Sequence, residues 1–107
     1  MKRVIIESPY AGDIEKNVTY ARACIKDALK RGESPLASHL LYTQEGILND
    51  KVPEERALGI NAGLEWLSVC QKHVFYVDLG WSKGMLQAYE LSKKLDIPTE
   101  LRNLKKQ

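Results

Sequence analysis

The alternation of short apolar runs with longer segments of helical period is the feature that most constrains this chain. Strand-like runs lie at residues 4–6, 36–38, 72–78 and 97–101, and helical patterns lie between them at about 13–30, 53–70 and 85–95. Strands that alternate with helices run parallel and are joined by right-handed crossovers. The sequence therefore predicts an α/β fold with helices on the faces of a short parallel sheet of about four strands.

The length of 107 residues allows one domain with one hydrophobic core, spanning residues 1–107. The formal charge is only +2, from 16 basic and 14 acidic side chains. So weak an imbalance does not indicate a nucleic-acid partner. The basic cluster of Arg102, Lys105 and Lys106 is typical of a solvated tail.

Cysteine use and hydropathy predict a cytoplasmic protein without a membrane partner. Cys24 and Cys70 lie among apolar residues in helical patterns and form no CxxC pair, so we expect both to be reduced. No apolar run approaches the length that spans a bilayer, and no signal-peptide pattern opens the chain. We expect no cofactor and no metal site, because no second ligand stands at metal-ligand spacing from His39 and no Walker loop is present.

The turn-forming segment after the first strand is the first candidate binding loop. In a parallel sheet, ligands bind beyond the carboxyl ends of the strands, where free N–H groups at the next helix start can hold an anion or a hydroxyl. Ser8, Tyr10 and Asp13 lie in this place, and Asn17 projects from the following helix near the same loop. The simpler alternative is a turn that only caps the helix.

Two further strand ends are expected at the same edge of the sheet. Residues 38–44 mix polar and apolar side chains without a clean period, and residues 78–84 combine a carboxylate with a glycine-rich loop. Hydroxyls, carboxylates, aromatic rings and loop amides together suit a ligand with a flat ring, a sugar and a phosphate. His39 has a simpler interpretation as a half-buried structural histidine. The predicted nucleoside or nucleotide site comprises Ser8, Pro9, Tyr10, Asp13, Asn17, Ser38, His39, Tyr42, Asp78, Gly80, Ser82, Gly84 and Met85.

Several segments of this chain resemble a family of small bacteriophage and prophage proteins. The resemblance covers residues 7–13 with Asn17, residues 38–44, residues 53–56, and residues 78–80 with 82–85. That family is related to the nucleoside 2-deoxyribosyltransferase-like superfamily. The resemblance implies a three-layer Rossmannoid, flavodoxin-like fold and a homodimer or a higher homo-oligomer. It also implies cleavage or exchange of the N-glycosidic bond of deoxynucleosides or their monophosphates by a glutamate nucleophile.

That nucleophile is missing from the position where the superfamily carries it. Gly84 is followed by Met85, and the first carboxylate of the helix is Glu90, roughly 9 Å beyond the helix start. Without a nucleophile, the covalent route has no intermediate to form. We therefore predict a nucleotide- or nucleoside-binding protein, such as a phage protein that sequesters a nucleotide or a nucleotide signal.

The alternative is an N-glycosidic bond hydrolase or deoxyribosyltransferase that uses another carboxylate. The candidates are Glu7, at the end of the first strand, Glu54, at a helix start, and Asp78, at a strand end. A pair of carboxylates can activate water or stabilise an oxocarbenium-like sugar. Glu54 and Glu55 have the simpler role of acidic residues in the first turn of a helix.

A third possibility is a subunit that works only through assembly. Trp66 and the face that carries Gly59 and Gly63 would then form the interface. Glycines four residues apart in a helix indicate a close backbone approach, either to the sheet or to another subunit.

Overall fold

The expected alternation of strands and helices is present in the computed structural model, which describes residues 1–105. Lys106 of the predicted basic cluster lies outside the described residues. No helix among residues 1–105 is both long and apolar enough to cross a membrane. The elements are β1 (Arg3–Glu7), α1 (Ile14–Lys30), β2 (Ser34–Leu36), α2 (Ser38–Leu41), α3 (Pro53–Glu65), a 3₁₀ turn (Trp66–Val69), β3 (Lys72–Tyr76), α4 (Lys83–Lys94) and β4 (Thr99–Arg102).

The four strands form one sheet in the order β2-β1-β3-β4, and every neighbouring pair is parallel. Ile5 of β1 pairs with Leu36 of β2 and with His73 of β3, so β1 and β3 are the central strands. This order is the one found in flavodoxin-like doubly wound sheets. The predicted α/β class with a four-stranded parallel sheet is confirmed.

One face of the sheet packs on α1. Because side chains alternate across a strand, every second residue of β1 and β3 points to this face. The buried cluster there consists of Val4, Ile6, Val74 and Tyr76 from the strands, Cys24 and Ala28 from α1, and Ala37. Apolar side chains on both sides of this interface make it the main core of the domain.

The opposite face packs on α4. Phe75 contacts Met85 and Ala88 of α4, all three with little or no exposed surface. The ring of the buried His73 lies beside it, with 4.5 Å between ring centroids. The face toward α4 therefore carries a buried polar ring in a central strand.

Arg102, predicted to lie in a solvated tail, is instead buried at the end of β4. Its guanidinium donates to both carboxylate oxygens of Glu33, at 2.9 and 2.6 Å, and to the Tyr76 hydroxyl at 3.0 Å. Burial alone would lower the pKa of Arg102, but hydrogen bonds to Glu33, Glu100 and Tyr76 raise it, so the group stays charged. The sequence did not reveal this role because Glu33 is 69 residues away.

The second strand lies two residues earlier than predicted. Ser34 and Pro35, expected in a turn, belong to β2, and Ser38, expected in the strand, begins α2. The Ser34 N–H donates to the Lys2 carbonyl at 2.8 Å, which extends the pairing with β1. Pro35 is accommodated because β2 is an edge strand, where a residue without an N–H is tolerated.

The later boundaries shift for local reasons. α3 ends at Glu65 and the chain continues as the 3₁₀ turn, where one continuous helix to residue 70 was predicted. α4 begins at Lys83 instead of Met85, because the Ser82 hydroxyl caps the helix by accepting from the Met85 N–H at 3.1 Å.

A close approach between α3 and α2 depends on Gly63. A β-carbon at Gly63 would lie 2.5 Å from Ser38 Oγ and 3.0 Å from Ser38 Cβ, whereas one at Gly59 would lie 3.2 Å from Leu48 Cδ1. The glycine spacing therefore indicates a close contact, as predicted. Within this chain, the contact is made with α2 and the following loop instead of with the sheet.

We predict that Gly63→Ala lowers the free energy of unfolding by about 1–3 kcal/mol, because the new methyl group overlaps a side chain fixed at its own β-carbon. Gly59→Ala is the matched control, since the tip of Leu48 can move and alanine is favoured over glycine in a helix by roughly 1 kcal/mol. Urea denaturation of the three proteins measures the effect. Equal stabilities of the two variants would contradict the prediction.

Candidate functional site

A cavity of about 360 Å³ lies beside the carboxyl end of β1, between α3 and α4. The strand order reverses between β1 and β3, so the chain leaves β1 toward α1 on one face and leaves β3 toward α4 on the other. A crevice opens at this switch point, where ligands bind in open α/β sheets. The cavity lies at the edge of the sheet where the sequence predicted a site.

The cavity has an apolar part and a polar part. The apolar part is formed by one residue of β1 and by facing residues of the helices and their adjoining segments, and comprises Ile5, Leu48, Ile60, Leu64, Leu67, Met85, Ala88 and Leu91. The polar part is formed by the end of β1 and the starts of the helices, and includes Glu7, Ser8, Ser38, His39, Tyr42, Asp50, Glu55, Arg56, Ser82 and Lys83. This combination of an apolar pocket with a few convergent polar groups is typical of small-ligand sites.

The structure divides the predicted site residues into two groups. The residues that line the cavity are Ser8, Tyr10, Ser38, His39, Tyr42, Ser82, Gly84 and Met85, together with the carboxylate candidate Glu7. The residues outside its lining are Pro9, Asp13, Asn17, Asp78, Gly80 and Glu54. All three predicted segments reach the neighbourhood of the site, but only part of each faces the cavity.

Asn17 and Asp13 shape the loop after β1. The buried Asn17 amide donates to the carbonyls of Tyr10 and Ala11, at 2.9 and 3.1 Å, and the Asp13 carboxylate accepts from the Lys16 N–H at 3.2 Å. Asp13 thereby caps α1, as the simpler interpretation of this turn required. Both residues hold the backbone that presents Tyr10 to the cavity.

Asp78 fastens the C-terminal segment to α1. Its carboxylate accepts from the Tyr20 hydroxyl and from the backbone N–H groups of Leu104 and Lys105, the last two at 2.8 and 3.1 Å. Burial opposes ionisation of this carboxyl, but these hydrogen bonds outweigh it and hold the pKa of Asp78 below its usual range. Three donors thus occupy a group that the sequence placed in the binding site.

Glu7 is the carboxylate that the fold fixes in the cavity. Its side chain is 20% exposed, and Oε2 lies 2.9 Å from Nε2 of the fully buried His73. The other ring nitrogen of His73 is hydrogen-bonded to the buried Ser92 hydroxyl of α4. Oε1 of Glu7 has no hydrogen-bond partner within residues 1–105, so it is available to a ligand.

Ser8 and His39 form a second polar pair in the lining. Ser8 Oγ lies 2.8 Å from His39 Nε2, while the buried Nδ1 of His39 has no partner in the described part of the chain. Burial lowers the pKa of His39, and the nearby Glu7 carboxylate only partly opposes this shift. His39 is therefore an uncharged imidazole at neutral pH.

The sequence missed the apolar wall that α3 contributes to the cavity. Ile60 and Leu64 are four residues apart and line the cavity, yet they are 50% and 38% exposed, and Leu58 on the same helix is 60% exposed. Apolar residues around the whole helix hide the one-sided pattern that signals a buried face. Groups of three or more His, Cys, Asp or Glu side chains placed to hold a metal ion do not occur within residues 1–105.

Among the comparisons with known proteins, a match came from a protein-family model. A family model described as a domain of unknown function, DUF7768, matches residues 2–102 and so covers all four strands and the cavity between α3 and α4. The searches of curated proteins and of solved structures each gave no match.

We predict that Asp78→Asn lowers the free energy of unfolding at pH 7 by about 1–3 kcal/mol, because it removes the charge from a carboxylate with three donors. The pKa of Asp78 is lowered by folding, so its contribution is fully present above the unfolded pKa of about 4 and is lost as the pH falls through the folded pKa. The difference between wild type and variant should therefore shrink on acidification. Urea denaturation of the wild type and the variant, at pH 7 and again below the unfolded pKa of about 4, measures this difference in stability. Glu90→Gln, which changes an exposed carboxylate, is the control. A difference that grows in acid would contradict the assignment.

Proposed function

The chain belongs to the DUF7768 family, and we propose that this member binds a nucleoside or a nucleotide in the cavity at the switch point of its sheet. The observation that carries the proposal is the position of Ser8, Tyr10, Tyr42 and Glu7 around one apolar pocket at the end of β1. Ser8, Tyr10 and Tyr42 are among the residues that the sequence predicts for recognition of a sugar and its ring, and Glu7 is the carboxylate candidate beside them.

The dimensions of the cavity support a ligand of this size. Its volume of about 360 Å³ lies near the lower end of the range of about 300–1,000 Å³ for small-molecule sites. Ile60 and Leu64 offer apolar contact to a flat ring, and the rings of Tyr10 and Tyr42 can stack on it. A single nucleoside-sized molecule would fill this space.

The polar end supports recognition of sugar hydroxyls. Glu7 Oε1 is a free acceptor, and Ser8 Oγ can exchange hydrogen bonds with both His39 and a ligand. The first backbone N–H groups of α4, at Lys83 and Gly84, have no intrahelical acceptor and add donors at the same cavity. Donors and acceptors are thus both present where the apolar part ends.

The position of Glu90 supports binding without the covalent chemistry of the transferases that the sequence resembles. Glu90 is exposed on α4 and lies outside the cavity lining. A protein that binds without turnover can sequester its ligand, and we propose this role for a chain that resembles bacteriophage proteins. The homo-oligomer implied by that resemblance stays a prediction, which a mass measurement in solution tests.

We predict that a panel of nucleosides and nucleotides raises the melting temperature of the wild-type protein, because a ligand that binds only the folded state stabilises it. Leu64→Trp should abolish the shift by filling the cavity from its apolar side. Leu58→Trp, on the exposed side of the same helix, is the matched control and should leave the shift unchanged. The absence of any shift with the wild type at millimolar ligand would refute the proposal.

The position of Glu7 favours a second candidate function, hydrolysis of an N-glycosidic bond. Glu7 is a largely buried carboxylate that lines the cavity, is oriented by His73, and keeps Oε1 without a hydrogen-bond partner within residues 1–105. It could take a proton from a water whose oxygen bonds to the anomeric carbon, while the bond to the base breaks and the base takes up a proton from solvent. Of the other carboxylates suggested by sequence, Glu54 and Asp78 lie outside the lining. Glu55 lies in the lining, where it accepts a hydrogen bond from the Asn49 N–H at 2.7 Å.

For this second candidate, we expect the wild type to release free base from a deoxynucleoside and Glu7→Gln to lose that release while still binding the substrate. The amide keeps the size of the side chain but is a far weaker base. Chromatography of the products measures base release, and Glu54→Gln serves as the control. Binding by the wild type without base release would leave only the sequestration role.

A further inference from the structure

The charges around the cavity decide between the two ligand classes proposed above, and we infer that it takes an uncharged nucleoside and discriminates against phosphorylated forms. This inference rests on the proposed function and deepens it by naming the charge of the ligand. It depends on one fixed carboxylate, Glu7, and on the ion pairs of its neighbours in the lining.

Glu7 is a negative charge that cannot move away from the cavity. His73 holds Oε2 at 2.9 Å, and His73 is itself held by the Ser92 hydroxyl behind it. A carboxylate can only accept, so Nε2 of His73 donates a hydrogen bond to Oε2 of Glu7. His73 therefore orients the carboxylate through one oxygen, and Oε1 keeps its capacity to accept.

The rest of the lining does not compensate this charge. Asp50 and Glu55 add two carboxylates, and the cationic side chains of the lining are Arg56 and Lys83. Arg56 is already paired with Asp50, with 2.6 Å between Nη1 and Oδ2. The cavity therefore has one more negative than positive group, and the imidazole of His39 adds no charge to it.

Two features could attract a phosphate, the ammonium group of Lys83 and the free N–H groups at the start of α4. Lys83 and Gly84 are both exposed, so water and salt screen these positive groups. Glu7 is largely buried, so its field acts through a medium of lower dielectric constant. Repulsion by Glu7 should outweigh attraction by Lys83, whereas a sugar hydroxyl can donate a charge-assisted hydrogen bond to Oε1.

Titration calorimetry with deoxynucleosides and with their 5′-monophosphates tests the inference. At low salt, the wild type should bind the nucleoside for which it has the highest affinity at least about tenfold more tightly than it binds the 5′-monophosphate of that nucleoside. High salt should reduce this ratio, because screening weakens the repulsion. Monophosphate binding that is equal or tighter overturns the inference and leaves the proposed function standing, whereas no binding of either class overturns both.

Glu7→Gln isolates the cause. The variant keeps the shape of the side chain and an acceptor oxygen but removes the charge, so the ratio of the two affinities should fall toward one. Glu54→Gln removes an exposed carboxylate outside the lining and should leave the ratio unchanged. A ratio unchanged in Glu7→Gln overturns the inference. If that variant does not fold, the salt dependence of the wild-type ratio decides the question.

Discussion

The parallel pairing of β1 with β3 is the constraint on which the rest of this structure depends. Its register places Ile5 opposite His73 and Glu7 opposite Phe75. Glu7 and His73 therefore share one face of the sheet, on adjacent strands, and their side chains meet although 66 residues separate them. The same pairing creates the switch point at which the cavity opens. If the register shifted by one residue, the Glu7 side chain would point to the opposite face of the sheet and would no longer meet His73.

The alternation of side chains also explains why the carboxylates near the strand ends have different roles. Val74 and Tyr76 point to α1, and Asp78, two residues further on, continues that side and meets Tyr20 of α1. Glu7 points to the other side, toward α4 and the cavity. One carboxylate is consumed by structural hydrogen bonds and the other remains available for binding. Proximity to a strand end was therefore not sufficient to identify a binding residue.

Two buried clusters of hydrogen-bonded side chains lie on opposite faces of the sheet. On the α1 side, Arg102 joins Glu33 to Tyr76 and ties the edge strand β4 to the chain before β2. On the α4 side, hydrogen bonds connect Ser92 to His73 and His73 to Glu7, which lines the cavity. Removing one partner from a buried charged network leaves the other unsatisfied, which is costly. The first cluster stabilises the fold, and the second also orients a group toward a ligand.

Several properties of this protein were determined by the sequence alone. The alternating patterns predicted the α/β class and a parallel sheet of four strands, and the polar ends of three segments predicted the edge at which the cavity lies. These features are local, because periodicity and turn residues act within a few positions. The tertiary structure decided which residues of each segment face the cavity, that Arg102 is buried, and that His73 supports Glu7. Those outcomes depend on strand register and on contacts between residues far apart in the chain, which no local pattern contains.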